Sequence, residues 1–212
     1  MKPLVVVDVQ LDYAGSWHKT PELMEYINNY KGPVFFLFNG EEHGLSAFDD
    51  SEHHLFLIDN GLNPELLSEA NIFDKGYGYY RDWMDMGIDD DHIIGFLETM
   101  DRLGLSSSDE VAYSDLPAGL MSEEEFQACN DTGCIHNVDL LSTYMLNSLN
   151  EEGILVCGGS ANECLKEFEL NMRLKGVKTE RLDEFVYDGD YGLKKSQRNE
   201  YETRKGVPYS FI

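Results

Sequence analysis

Three residues able to share acyl-transfer chemistry, Asp8, Lys75 and Cys164, each stand at the end of an apolar run. Cys164 follows Ile154-Leu155-Val156-Cys157, two glycines at Gly158 and Gly159, and then Ser160-Ala161-Asn162-Glu163. Beyond it a helix-like pattern carries Leu165, Phe168 and Met172, with Leu170 and Leu174 beside them, as far as Gly176. The pattern predicts a strand, a tight glycine turn and a helix with a thiol in its first turn. Free N–H groups and the positive dipole end favour thiolate there, the nucleophilic form. A carboxylate can accept the thiol proton, and an ammonium can hold the carboxylate and stabilise thiolate. Backbone N–H groups around Ser160 to Cys164 would receive the oxyanion formed when thiolate attacks a carbonyl.

The surrounding elements decide whether these residues can meet. Leu4 to Val7 reads as a strand covered on both faces, with Asp8 and Gln10 at its carboxyl end. Thr20-Pro21 opens a helix, with Thr20 as N-cap, that carries Leu23, Met24, Ile27 and Tyr30 and stops at Gly32-Pro33. Val34 to Phe38 is a second apolar strand, so the chain begins strand–helix–strand, the unit of a parallel sheet. Asn39 to Asp59 reads as a largely polar connection, Leu62 to Ser68 as a short helix, and Ile72-Phe73 as a strand leading to Lys75. His92 to Leu103 is an amphipathic helix and Glu110 to Tyr113 a further strand, and periodicity fades from Ser114 to Asn137. Val138 to Leu149 is a helix capped by Asn137, Val177 to Leu182 a last strand, and Asp188 to Ile212 a polar tail. The expected fold is α/β, three layers around a mostly parallel sheet of about five to six strands, in one domain. Such sheets bring strand carboxyl ends to one edge, where ligands gather. Alone, Asp8 reads as a turn residue, Lys75 as a solvated charge and Cys164 as a buried thiol. Their convergence on one edge carries the chemical reading.

Bulk properties narrow the function classes. Hydrophobic residues at 42% and charged residues at 26% suit a globular chain. The net charge of −24 repels nucleic acid and anionic membrane surfaces. It serves solubility or high salt, or offers an acidic face to a protein partner. No apolar run reaches membrane-spanning length, and Lys2 before a four-residue apolar run is no leader, so the expected location is cytoplasmic. Four cysteines in such a chain make no disulfide framework. Cys129, Cys134 and His136 are an incomplete ligand set and read first as thiols. Glu41 and His43, with His53-His54 ten residues on, are either polar loop residues or donors for zinc or a similar ion. Gly76 to Tyr80 is a glycine–aromatic loop whose Tyr77, Tyr79 and Tyr80 would line a small-molecule pocket with Gln10.

Three segments resemble the isochorismatase-like cysteine hydrolase superfamily, in its nicotinamidase and small-amidase branch. VVVDVQLDY at Val5 to Tyr13 is similar to the family's Asp-x-Gln-x-Asp-aromatic opening strand. DKGYGYY at Asp74 to Tyr80 is similar to its lysine segment, and GGSANECLKEF at Gly158 to Phe168 to its nucleophile elbow. The resemblance implies Asp8 as general base, Lys75 as its cationic partner and Cys164 as nucleophile. It also implies a Rossmann-like sheet, a cis peptide before Ser160, and an oxyanion site formed by Gly159, Ser160 and Cys164. Glu41, His43 and His53 or His54, of which His54 is the first choice, resemble the family's metal ligands, with Glu in place of Asp, for one zinc, manganese or iron ion. Ala161 stands where the family commonly has threonine, and the interval from Lys75 to Cys164 is longer than usual, which implies an insertion within 84–137. Ser160-x-x-Glu163 has the form of a capping box, which would fix the helix start.

The expected function is therefore cysteine-dependent hydrolysis of a small amide through a thioester. Vinyl-ether cleavage of isochorismate is a second reading on the same fold, and a catalytically idle acidic binding protein a third. A homo-oligomer, and a protein partner met through the acidic surface or the insertion, are compatible with all three.

Overall fold

Leu4–Val7 form strand β1, at the centre of a five-stranded parallel sheet. The computed structural model of the protein describes residues 1–10, 19–38, 51–68, 70–74, 81–132 and 153–187. The other strands are β2 (Val34–Phe38), β3 (Ile72–Asp74), β4 (Ile154–Gly159) and β5 (Thr179–Tyr187). Their order is β3-β2-β1-β4-β5. A central parallel strand has no wet face, which is why β1 is apolar at every position. Its side chains alternate. Leu4 and Val6 enter a core with Leu23, Met24 and Ile27 of α1 (Thr20–Asn29) and Phe56 and Leu57 of α2 (Ser51–Asp59). Val5 and Val7 enter the opposite core with Leu165, Phe168 and Met172 of α6 (Cys164–Leu174). Helices thus cover both faces, making three layers.

Helix α6 has two apolar stripes because it is covered on two sides. Its outer side meets a helical layer built from α3 (Arg81–Asp85), α4 (Asp90–Leu103) and α5 (Glu123–Thr132). This layer has its own core of Trp83, Ile93, Phe96, Leu97 and Phe126, and Leu170 of α6 inserts into it. Trp83 donates its indole N–H to the Cys129 carbonyl at 3.1 Å. Two ion pairs tie the layer to α6: Lys166 to Asp90 at 2.7 Å, and Arg173 to Asp91.

Several sequence expectations are corrected. Thr20 is the first helical residue of α1 and Lys19 its N-cap, with no side-chain cap bond. The connection before Asp59 holds α2, because His53, Phe56 and Leu57 share one buried helical face. Leu62 to Ser68 contains only a 3-10 turn, Pro64–Leu66, capped by Asn63. Glu110 to Tyr113 is no strand. Two 3-10 turns, Ser108–Glu110 and Tyr113–Asp115, occupy that region, and Val111 packs into the helical layer's core. Helix α5 lies where periodicity fades, started by Ser122 rather than by an apolar pattern. The last strand is longer than expected and begins at Thr179. The expected helix at Val138 to Leu149 and the tail from Asp188 lie outside the described residues. Among the described residues, no helix is long and apolar enough to cross a membrane.

Candidate active site

The chain runs outward from β1 through β2 to β3, then returns to the other side of β1 as β4. The sheet's winding therefore reverses between β1 and β4. At such a switch point the connections leave in opposite directions and open a crevice above the strand carboxyl ends. Val7 pairs with Gly158 there, so Asp8 and the Gly159-Ser160 turn leave the sheet side by side. Asp8 is 1% exposed and has φ of 50°, a left-handed conformation that Asp tolerates better than most residues. Its N–H still donates to the Leu37 carbonyl at 2.9 Å, which fixes the bend against β2.

The β4–α6 turn is held from within and from the side. Gly158 has φ of +108°, and a Cβ there would overlap the Val7 backbone. A Cβ on Gly159 would overlap the Tyr187 ring. The two glycines thus answer to close neighbours on β1 and β5, and only glycine fits both places. The Gly159–Ser160 peptide is cis, at the bond where the resemblance puts one. The Ser160 carbonyl accepts from the N–H groups of Glu163, at 3.1 Å, and Leu165, at 3.0 Å. Cys164 follows as the first residue of α6. The helix N-cap is Glu163, without a side-chain cap bond, so the expected Ser160–Glu163 capping box does not form. The carbonyl of Ser160, not its hydroxyl, serves the helix start.

Of the three described cysteines, Cys164 alone is partly exposed. Burial, with the Glu125 charge adding to it, pushes the Cys129 thiol up to about 12. Burial alone raises Cys157 further. Both remain protonated at neutral pH, in keeping with structural thiols.

Gln10, also buried, brings its Nε2 to 3.4 Å from Nε2 of His53. His53 is wholly buried, its ring centroid 5.3 Å from that of Phe38, whereas its neighbour His54 is half-buried. Helix phase separates these adjacent histidines, since His53 shares its face with Phe56 and Leu57. Lys75, Tyr77, Tyr79 and Tyr80 of the expected site, and Glu41 and His43 of the expected metal set, lie outside the described residues. Asp74, immediately before Lys75, pairs with Phe38 at the carboxyl end of β3, on the same sheet edge as Asp8.

Three further residues belong to the neighbourhood and escaped the sequence reading. Glu167 is buried one turn beyond Cys164. Arg181 of β5 donates through Nε to Glu169 at 2.8 Å and through its guanidinium to the Ala161 carbonyl at 2.9 Å. The signal for Arg181 was a single cation in the acidic strand TERLDEFVY. No family model, no curated protein and no solved structure matches the chain.

Proposed function

We propose that the protein is a cysteine-dependent hydrolase of a small amide, of the isochorismatase-like kind, with nicotinamide-like amides the first substrates to try. One observation carries the reading. The only partly exposed thiol among the described cysteines starts the helix that follows β4, and the buried Asp8 carboxylate follows β1, the strand that pairs with β4.

In this mechanism the Asp8 carboxylate takes the Cys164 proton as sulfur attacks the amide carbon. The carbonyl oxygen becomes an oxyanion received by backbone N–H groups of Ser160 and Cys164. Collapse breaks the C–N bond, and the proton on Asp8 passes to the departing ammonia. Asp8 then deprotonates water, which attacks the thioester and releases the carboxylic acid and the thiol. Lys75, which follows β3 in the sequence, would hold Asp8 ionised. Tyr77, Tyr79 and Tyr80 would shape the pocket with Gln10. A divalent ion on Glu41, His43 and His54 would supply a Lewis acid for a ring nitrogen. Among the described residues no three donors cluster, and His54 is the one described member of that set.

The net charge of −24 favours a second reading, in which the acidic surface engages a basic protein partner and the site is idle. A screen of small amides by ammonia release, with and without chelator, separates the two. Turnover supports the hydrolase and the chelator arm reports on the metal. No ammonia from any amide favours the binding protein.

A further inference from the structure

The turn between β4 and α6 is gripped by β5 at a single residue, Ala161. Its N–H donates to the Tyr187 carbonyl at 2.7 Å. Its carbonyl accepts from the Arg181 guanidinium at 2.9 Å. Both backbone polar groups of one turn residue are thus satisfied by β5. Arg181 and Tyr187 are six residues apart, which in a regular strand is about 20 Å. They reach the same residue because β5 bulges. Arg181 pairs with Val156 and Tyr187 with Gly159, so Leu182 to Phe185 are looped out against Cys157.

Arg181 makes a second connection. Its fork closes on Glu169 of α6, through Nε at 2.8 Å and through the terminal nitrogen. The pair is largely buried, with side chains 30% and 18% exposed, where charge-assisted forked bonds hold geometry well. At 100° per residue, Cys164 and Glu169 fall on opposite flanks of the stripe that α6 presents to the sheet. Guanidinium on one flank therefore fixes both the rotation of α6 and the path of the turn, and leaves the Cys164 flank facing β1.

We propose that Arg181 is the positioning residue of the site, locking the Ser160–Cys164 turn to α6 through Ala161 and Glu169. The proposal rests on the hydrolase reading for its catalytic consequence, and on the clamp geometry alone for its effect on the turn. Lysine cannot reproduce the fork, because a point charge meets one acceptor direction where guanidinium meets several.

The test compares full-length parent, Arg181→Met and Arg181→Lys by amide hydrogen exchange over residues 158–166 and by steady-state kinetics on the best amide. The expected result for Arg181→Met is exchange faster by about tenfold or more, kcat lower by about 30-fold or more, and KM within about threefold. Arg181→Lys falls between, and carries the comparison alone if Arg181→Met does not fold. A folded variant with parental exchange and parental kcat overturns the proposal. So does a raised KM at unchanged kcat, which would make Arg181 a substrate-binding group. Should Cys164→Ala keep parental activity, the hydrolase reading fails separately, and the exchange result alone decides the clamp.

Discussion

Val7 and Gly158 face each other in register at the point where the sheet's winding reverses, and no Cβ fits between them. This contact sets Asp8 beside the turn that leads to Cys164. It also makes Gly158 a position that tolerates no side chain. Gly158→Ala adds strain at a φ of +108° to a collision with the Val7 backbone. The expected loss is about 2–6 kcal/mol of stability, read by chemical denaturation. A parental midpoint would mean that β1 and β4 are not held as closely as described.

Thiol accessibility gives a second expectation. Iodoacetamide at neutral pH should modify Cys164 well before Cys129 or Cys157, whose burial keeps them protonated. Peptide mapping of the native protein at increasing times would read the order. Early labelling of Cys157, on the central part of β4, would contradict the sheet itself.

A third concerns the helical layer. Leu170 lies on the outer side of α6 and is buried in the core that holds Trp83 and Phe96. Leu170→Ala should lower stability by about 2–5 kcal/mol, since a cavity remains at a junction of two layers. A change below about 0.5 kcal/mol in thermal or denaturant unfolding would mean that the layer does not pack there.

Acid sensitivity is expected at the start of α5. Glu125 accepts from the N–H and hydroxyl of Ser122, each at 2.9 Å, while its own N–H donates to that hydroxyl at 3.1 Å. The Ser122 backbone bond first, then its side-chain bond, holds the Glu125 carboxyl below its ordinary value of 4.5. A carboxyl lowered on folding stabilises the protein fully above that value and loses the contribution as pH falls through the folded one. The difference in melting temperature between parent and Ser122→Ala should therefore be largest near neutral pH and narrow as pH falls below 4.5, leaving the pH-independent loss of the Glu125 N–H cap bond. A constant difference at every pH would assign the effect to something other than Glu125 ionisation.

What could be read from the sequence depended on whether one side of an element or both were covered. Continuous apolar runs such as Leu4–Val7 and Val34–Phe38 declared buried parallel strands, and the order of strands and helices was enough for three layers. Two stripes on α6 carried the mark of a second covering layer, but a stripe does not say what covers it. Helix α5 and the two 3-10 turns hid because they have too few apolar positions to set a period, and α5 starts on a single polar residue, Ser122. At the candidate site, the places of Asp8 after an apolar run and of Cys164 in the first turn of a helix were legible. Arg181 was not, because its role depends on a bulge that brings distant β5 residues to one turn, and a bulge has no local sequence mark here.

In the proposed hydrolase, Cys164 forms a covalent bond with the substrate's acyl group. Acid-quenched turnover mixtures with the best amide, digested and read by mass spectrometry, test it most directly. An acyl adduct is expected on the Cys164 peptide, lost in Cys164→Ala together with about a thousandfold or more of the rate. Absence of any adduct, with Cys164→Ala turning over at the parental rate, would contradict it.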